Sequence, residues 1–164
     1  MMTPDSGQDD GAWLIDDDLV EVGRVFGAKK PWKILIIDDE KDVHAATRLA
    51  IKDIRYKDRK LELYSAYSGA EGYEKMCEHP DMALVLLDVV METDDAGLML
   101  VSRIRNELKN NTSRIVLRTG QPGQAPEQQV ILEYDINDYK TKTELTVQKL
   151  FTTVISSLRA YENL

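Results

Sequence analysis

A chain of 164 residues supports one core of ordinary size and little more. Its formal net charge of -8 excludes non-specific attraction to nucleic acid, and no apolar run reaches the length of a membrane span. The lone cysteine, Cys77, allows no internal disulfide and fits a reducing compartment. The N-terminus has neither a basic segment nor an apolar core, so no signal peptide is expected and a cytoplasmic location is implied.

Residues 1–30 differ in composition from the rest of the chain. Seven acids, among them Asp16, Asp17 and Asp18, face only Arg24, Lys29 and Lys30. An acidic, largely flexible extension is expected here, carrying two apolar patches, Trp13-Leu14-Ile15 and Leu19-Val20 with Val22, Val25 and Phe26. Residues 31–164 are the expected folded domain. Lys33 to Ile37 reads as a first strand, and Asp42 to Ile54 as a helix with Val43, Ala46, Leu49, Ala50 and Ile54 at helical spacing. Leu61 to Ala66 alternates like a strand at a sheet edge. Lys57, Arg59 and Lys60 before it read as a solvated turn. Ser68-Gly69-Ala70-Glu71 is a capping box that opens a helix to about Glu78. Cys77 on that helix is expected to be a semi-buried, inert thiol.

Met82 to Leu87 is a third strand, apolar without alternation, as in a parallel sheet covered on both faces. A polar loop, Glu92 to Gly97, leads into a helix with Leu98, Leu100, Val101, Ile104 and Leu108, ended by Asn110-Asn111. Arg114 to Arg118 is the fourth strand. A Gly/Pro loop, Gln121 to Pro126, precedes a short helix to about Tyr134, and Ile136 to Lys140 is the fifth strand. The last helix starts near Thr143 or Glu144. Its stripe of Val147, Leu150, Phe151, Val154, Ile155, Leu158 and Tyr161 is expected to pack into the core. Five strands alternating with five helices predict an α/β fold with a five-stranded parallel sheet and helices on both faces.

In such a sheet the carboxyl ends of the strands carry the ligand site. The first strand ends on Asp38-Asp39-Glu40, the third on Asp88, the fourth on Thr119, and Lys142 lies just past the fifth. Clustered carboxylates repel one another unless a cation sits among them. Mg²⁺ suits this set because it takes few protein ligands and keeps its waters. One carboxylate among acids, a hydroxyl, a lysine and a metal suits phosphoryl transfer, with the carboxylate as nucleophile. His44 and His79 have no His or Cys partners for zinc and read as surface or cap residues.

Over residues 32–161 the chain resembles the receiver domain of two-component response regulators. The specific parts are Ile36-Ile37-Asp38-Asp39-Glu40, Leu86-Leu87-Asp88-Val89-Val90-Met91, Leu117-Arg118-Thr119-Gly120 and Asp138-Tyr139-Lys140-Thr141-Lys142. The resemblance implies a flavodoxin-like sheet of order 2-1-3-4-5 and a cytoplasmic bacterial signalling protein. It makes Asp88 the phospho-acceptor, with a histidine kinase or phosphotransfer protein as donor. It makes Asp39 and Asp88 side-chain ligands of Mg²⁺, the Val90 carbonyl a backbone ligand and Asp38 a ligand through water. Lys142 would contact the phosphoryl group, and Thr119 with Tyr139 would form the switch pair that changes the surface of the fourth helix, fifth strand and fifth helix.

Four positions depart from the family's pattern. Glu92 stands where proline is usual, and the loop from Asp88 to Gly97 is one residue longer than usual. Thr143 replaces the proline after the lysine, and the Gln121 to Pro126 loop is rich in Gly and Pro. None removes a chemical group. Arg118 to Gln124, with Asp135 to Tyr139, also resembles receivers that head larger bacterial regulators, some with HD-type cyclic-di-GMP phosphodiesterase modules. The implied output is then a C-terminal domain, a partner or a second copy of the chain, as a homodimer.

Two other functions compete. A Mg²⁺-dependent phosphohydrolase with an aspartyl nucleophile would want a second acid two residues on, where Val90 stands. A non-phosphorylated interaction module would not need the complete set of acids, hydroxyl and lysine.

Overall fold

The computed structural model describes residues 29–120 and 127–164. The two apolar patches of the N-terminal extension, the expected flexibility of that extension and the Gly/Pro loop lie outside the described residues. Among the described residues two compact units separate, one of residues 29–31 with 57–60 and one of residues 32–56, 61–120 and 127–164. In the first, Lys29 Nζ donates to the Lys57 carbonyl (3.3 Å) and Arg59 Nε to the Lys30 carbonyl.

The elements in chain order are β1 (Trp32–Ile37), α1 (Lys41–Ile51), β2 (Arg55–Tyr56), β3 (Arg59–Ala66), α2 (Gly69–Glu78), β4 (Leu84–Leu87), α3 (Ala96–Ser102), β5 (Arg114–Thr119), α4 (Glu127–Glu133), β6 (Asp138–Thr141) and α5 (Val147–Glu162). The sheet has six strands rather than five, in the order β2-β3-β1-β4-β5-β6. Without β2 this is the flavodoxin-like order expected from sequence. The extra strand is two residues long. It precedes Lys57 and Asp58, whose φ values of 54° and 61° belong to a two-residue hairpin turn. Neither is glycine or asparagine, so the usual signal of such a turn is missing. The pairs β3–β1, β1–β4, β4–β5 and β5–β6 are all parallel.

The central strands are apolar throughout because both faces are covered. Leu35, Ile37, Val85, Leu87, Ile115 and Leu117 pack with Met76 of α2, Leu100 and Val101 of α3 and Val130 of α4. Ile34, Leu84, Leu86 and Val116 pack on the opposite face with Ile51 of α1 and with Leu150, Val154 and Leu158 of α5. Ser68 caps α2 as the capping box implies, its Oγ accepting from Glu71 N at 3.1 Å.

Boundaries shift where side chains take over backbone roles. β6 begins at Asp138, not Ile136, because Asn137 Oδ1 itself accepts from Ile115 N at 2.7 Å. The helix expected to reach Leu108 gives way after Ser102 to a π-helical turn over Arg103–Glu107. In that turn Arg105 is buried, and its guanidinium donates to the Ser113, Asn110 and Asp135 carbonyls.

Five apolar or surface assignments are corrected. Leu49, Val147 and Phe151 are 71, 66 and 51% exposed, so the stripes on α1 and α5 are narrower than their spacing suggests. Cys77 is exposed on α2. His79 is the α2 cap residue as expected, but His44 is buried rather than superficial. Its Nε2 lies 2.7 Å from the Asp38 carbonyl and its Nδ1 2.9 Å from Ser65 Oγ.

Candidate functional site

The carboxyl ends of β1 and β4 lie side by side. Ile37 pairs with Leu87, and Asp88 N donates to the Ile37 carbonyl at 2.9 Å. Asp38 and Asp88 therefore emerge at the same level of the sheet. Both are buried, whereas Asp39 and Glu40 turn outward. Asp38 Oδ1 accepts from Glu40 N at 2.9 Å, which fixes its carboxylate. Asp38, Asp39 and Asp88 each present an oxygen within 4.8 Å of the others. Three such oxygens suit a hard cation.

Lys142 follows β6 and reaches this cluster. Its backbone N donates to the Thr119 carbonyl at 2.8 Å. Its Nζ lies 3.0 Å from Asp38 Oδ2, 3.1 Å from Glu40 Oε1 and 3.4 Å from Asp88 Oδ2. Asp39, Glu40, Asp88, Val90, Gly120 and Lys142 line one open cavity over the sheet. Thr119 closes β5 and is almost fully buried. Tyr139, two positions before Thr141 on β6, is buried with Val130 on the face covered by α2, α3 and α4.

The electrostatics follow from the burial. Burial and the neighbouring Asp38 charge raise the Asp88 carboxyl to about 6, against the lowering effects of Lys142 and of a hydrogen bond from the Val90 backbone. Burial pulls Lys142 down, but Asp38, Glu40 and Asp88 outweigh it and hold the ammonium above its ordinary value. The cluster is thus short of positive charge, which is what a resident divalent cation supplies.

Two more residues fix the acceptor loop. A Cβ on Gly97 would lie 2.0 Å from the Asp88 carbonyl oxygen, so only glycine lets the start of α3 approach this closely. Glu92, one of the departures from the family pattern, caps α2. Its carboxylate accepts from Gly69 N at 2.9 Å and Ala70 N at 3.3 Å. Partial burial raises its carboxyl, but the backbone N–H groups of Gly69, Glu92 and Ala70 outweigh that and hold it below the ordinary range.

Asp38, Asp39, Asp88, Val90 and Lys142 are thus brought together as the sequence suggested, with Thr119 one strand away. Sequence reasoning missed the cap made by Glu92, the buried His44 and the buried Arg118. Arg118 Nη1 donates to Thr47 Oγ1 at 2.9 Å. Burial lowers its guanidinium, against the attraction of Asp38 and Asp88. Strand alternation was the available signal: Arg118 shares a sheet level with Asp88.

A doubly covered parallel sheet with an acidic cluster and a lysine at its carboxyl edge defines the flavodoxin-like receiver class. The response regulator receiver domain family matches residues 34–155, and the chain belongs to that family. It is 54% identical over 140 residues to the 3'3'-cGAMP-specific phosphodiesterase 2 of Vibrio cholerae serotype O1, which covers 85% of this chain but only 27% of that protein. The chain therefore spans about a quarter of that relative's length. Among solved structures it is similar to a response regulator receiver domain protein of Clostridium thermocellum (TM-score 0.66, 20% identity, 80% of this chain and 97% of that one). It is also similar to the signal receiver domain of an HD domain-containing protein of Pseudomonas fluorescens Pf-5 (TM-score 0.63, 17% identity, 83 and 100% covered). Among the described residues no helix is long and apolar enough to cross a membrane.

Proposed function

We propose that this receiver, residues 31–164 of the chain, is a phosphorylation-dependent switch that takes a phosphoryl group onto Asp88 from a histidine kinase or phosphotransfer protein in the cytoplasm. The observation that carries this reading is the meeting of Asp39, Asp88 and the Lys142 ammonium in one open cavity, with the buried Asp38 carboxylate clustered against them.

In this reading a carboxylate oxygen of Asp88 attacks phosphorus in line. The bond to the donor nitrogen breaks, and its electron pair stays with the leaving imidazole. Asp38, Asp39, Asp88 and the Val90 carbonyl would hold Mg²⁺, which would supply charge compensation at the phosphoryl oxygens. Lys142, already 3.4 Å from Asp88 Oδ2, contacts the phosphoryl group from the other side. The Thr119 hydroxyl turns to a phosphoryl oxygen, and Tyr139 takes up the space beside β5. The surface of α4, β6 and α5 then changes, shifting a two-state balance that exists before phosphorylation.

That surface is a suitable reader face because Ile131 and Leu132 of α4 and Phe151 of α5 already stand exposed on its helices. The output is a domain or partner outside this chain. A cyclic-dinucleotide phosphodiesterase is the output that the name of the 54%-identical relative supports. The receiver itself performs only its own phosphoryl transfer and dephosphorylation. Residues 1–30 are read as an acidic extension apart from it.

The test is amide hydrogen exchange with and without beryllofluoride and Mg²⁺. Protection should change across residues 119–145 and in any contact between copies. Changes confined to the loops of Asp38, Asp39 and Asp88, or an unchanged response in Thr119→Ala, would contradict the switch.

A further inference from the structure

Ile37, Leu87 and Leu117 pair across β1, β4 and β5. One residue further on, Asp38, Asp88 and Arg118 form the next level of the same three strands. Alternation turns this level toward α1 and α5, the side of Leu86 and Val116. Arg118 accordingly lines the groove between those helices with Thr47, Lys142 and Leu150. Two buried acids and one buried guanidinium thus lie abreast at the carboxyl edge of the sheet.

The guanidinium is expensive where it stands. Arg118 is 4% exposed. Its Nη1 is bonded to Thr47 Oγ1, itself buried, while its buried Nη2 has no hydrogen-bond partner among the described residues. An unsatisfied polar group at such depth costs stability, and an apolar side chain would fill the space without that cost. Packing therefore does not account for an arginine here. Its charge does: burial keeps water from screening it from Asp38 and Asp88.

We propose that Arg118 is the internal countercharge of the acidic pocket, a positioning residue that sets how tightly the pocket holds a divalent cation. This rests on the reading of Asp38, Asp39 and Asp88 as cation ligands. Lys142 and Arg118 divide the work. Lys142 approaches from the open side, where an incoming phosphoryl group can take it over. Arg118 stays on the α1 and α5 side of the sheet, almost fully buried and away from the open cavity, and offsets one negative charge in every state of the site. Without it the pocket holds a divalent cation more tightly. With it the pocket releases the cation more readily.

Titration calorimetry of Mg²⁺ into the 164-residue chain tests this. The neutral variants Arg118→Met and Arg118→Gln should bind Mg²⁺ more tightly, with Kd lower by roughly threefold or more, since removing a buried positive charge leaves more of the carboxylates' negative charge to attract the cation. Arg118→Lys, which keeps the charge, should stay near wild type. Thr47→Val removes the tether but not the charge, and should also stay near wild type. Unchanged or weaker binding in the folded neutral variants would overturn the inference, as would a Thr47→Val variant that behaves like Arg118→Met. If both neutral variants lose their cooperative thermal transition, Arg118 is a structural tie between β5 and α1, and the countercharge role falls. If wild type binds no Mg²⁺, the cation reading of the pocket fails first and takes this inference with it.

Discussion

Lys142 Nζ stands 3.4 Å from Asp88 Oδ2 while the same nitrogen lies 3.0 Å from Asp38 Oδ2. One ammonium therefore serves two buried carboxylates that face each other across neighbouring strands. Its removal leaves their repulsion uncompensated. In metal-free solution the Asp88 carboxyl should titrate near pH 6, where burial and Asp38 hold it. In Lys142→Met the midpoint should rise by about one unit, because an opposite charge at this distance favours the ionised form. Carboxyl carbon NMR of Asp88 in EDTA reads both midpoints. A midpoint unmoved by the substitution would show that Lys142 does not control the acceptor's charge.

Glu92 connects the acceptor loop to the start of α2 through Gly69 N and Ala70 N. Its folded carboxyl lies below the usual 4.5. A depressed carboxyl contributes stability that is present above the unfolded value and lost as pH falls through the folded one. Glu92→Gln should therefore lower stability by about 0.5 kcal/mol at pH 7, an amount typical of a screened charge at a helix start. The gap should close as pH falls below the ordinary glutamate range. Denaturant melts at pH 7 and pH 3 measure it. A gap that persists at the lower pH would mean that the lost contact is not a charge effect.

Val90 lines the cavity two residues beyond Asp88, the position that in the proposed phosphoryl mechanism would flank the approach of water to the phosphoryl group. Valine can neither hydrogen-bond nor orient that water, so self-dephosphorylation should be slow. Val90→Asn and Val90→Glu should each change the decay rate of the phosphorylated protein by roughly twofold or more, within the range for a positioned polar group. Equal decay in all three proteins would show that Val90 does not gate the water.

The acids at the ends of β1 and β4 were legible because each long apolar run reads as a doubly covered strand and ends on a carboxylate; the lysine after β6, a short polar strand, was legible only from its place in Asp138-Tyr139-Lys140-Thr141-Lys142. The cap on α2 was legible from Ser68 and Glu71 alone. What sequence could not reach depends on register or on reach across the fold. Arg118 reads as the end of a strand until β5 is aligned with β4. His44 reads as a surface residue of an amphipathic helix until the Asp38 carbonyl is placed above it. Glu92 reads as a loop acid until α2 is brought beneath it. The strand Arg55–Tyr56 was hidden because Lys57 and Asp58 adopt positive φ without the residues that usually signal it.

The most direct test is Mg²⁺-dependent labelling by acetyl phosphate, with the modified residue mapped by mass spectrometry. One phosphoryl group should appear on Asp88, disappear when Mg²⁺ is chelated, and be absent from Asp88→Asn, whose near-isosteric amide preserves the fold. A label mapped to another residue of the wild type, or a lasting label in folded Asp88→Asn, would contradict the assignment of Asp88 as the acceptor.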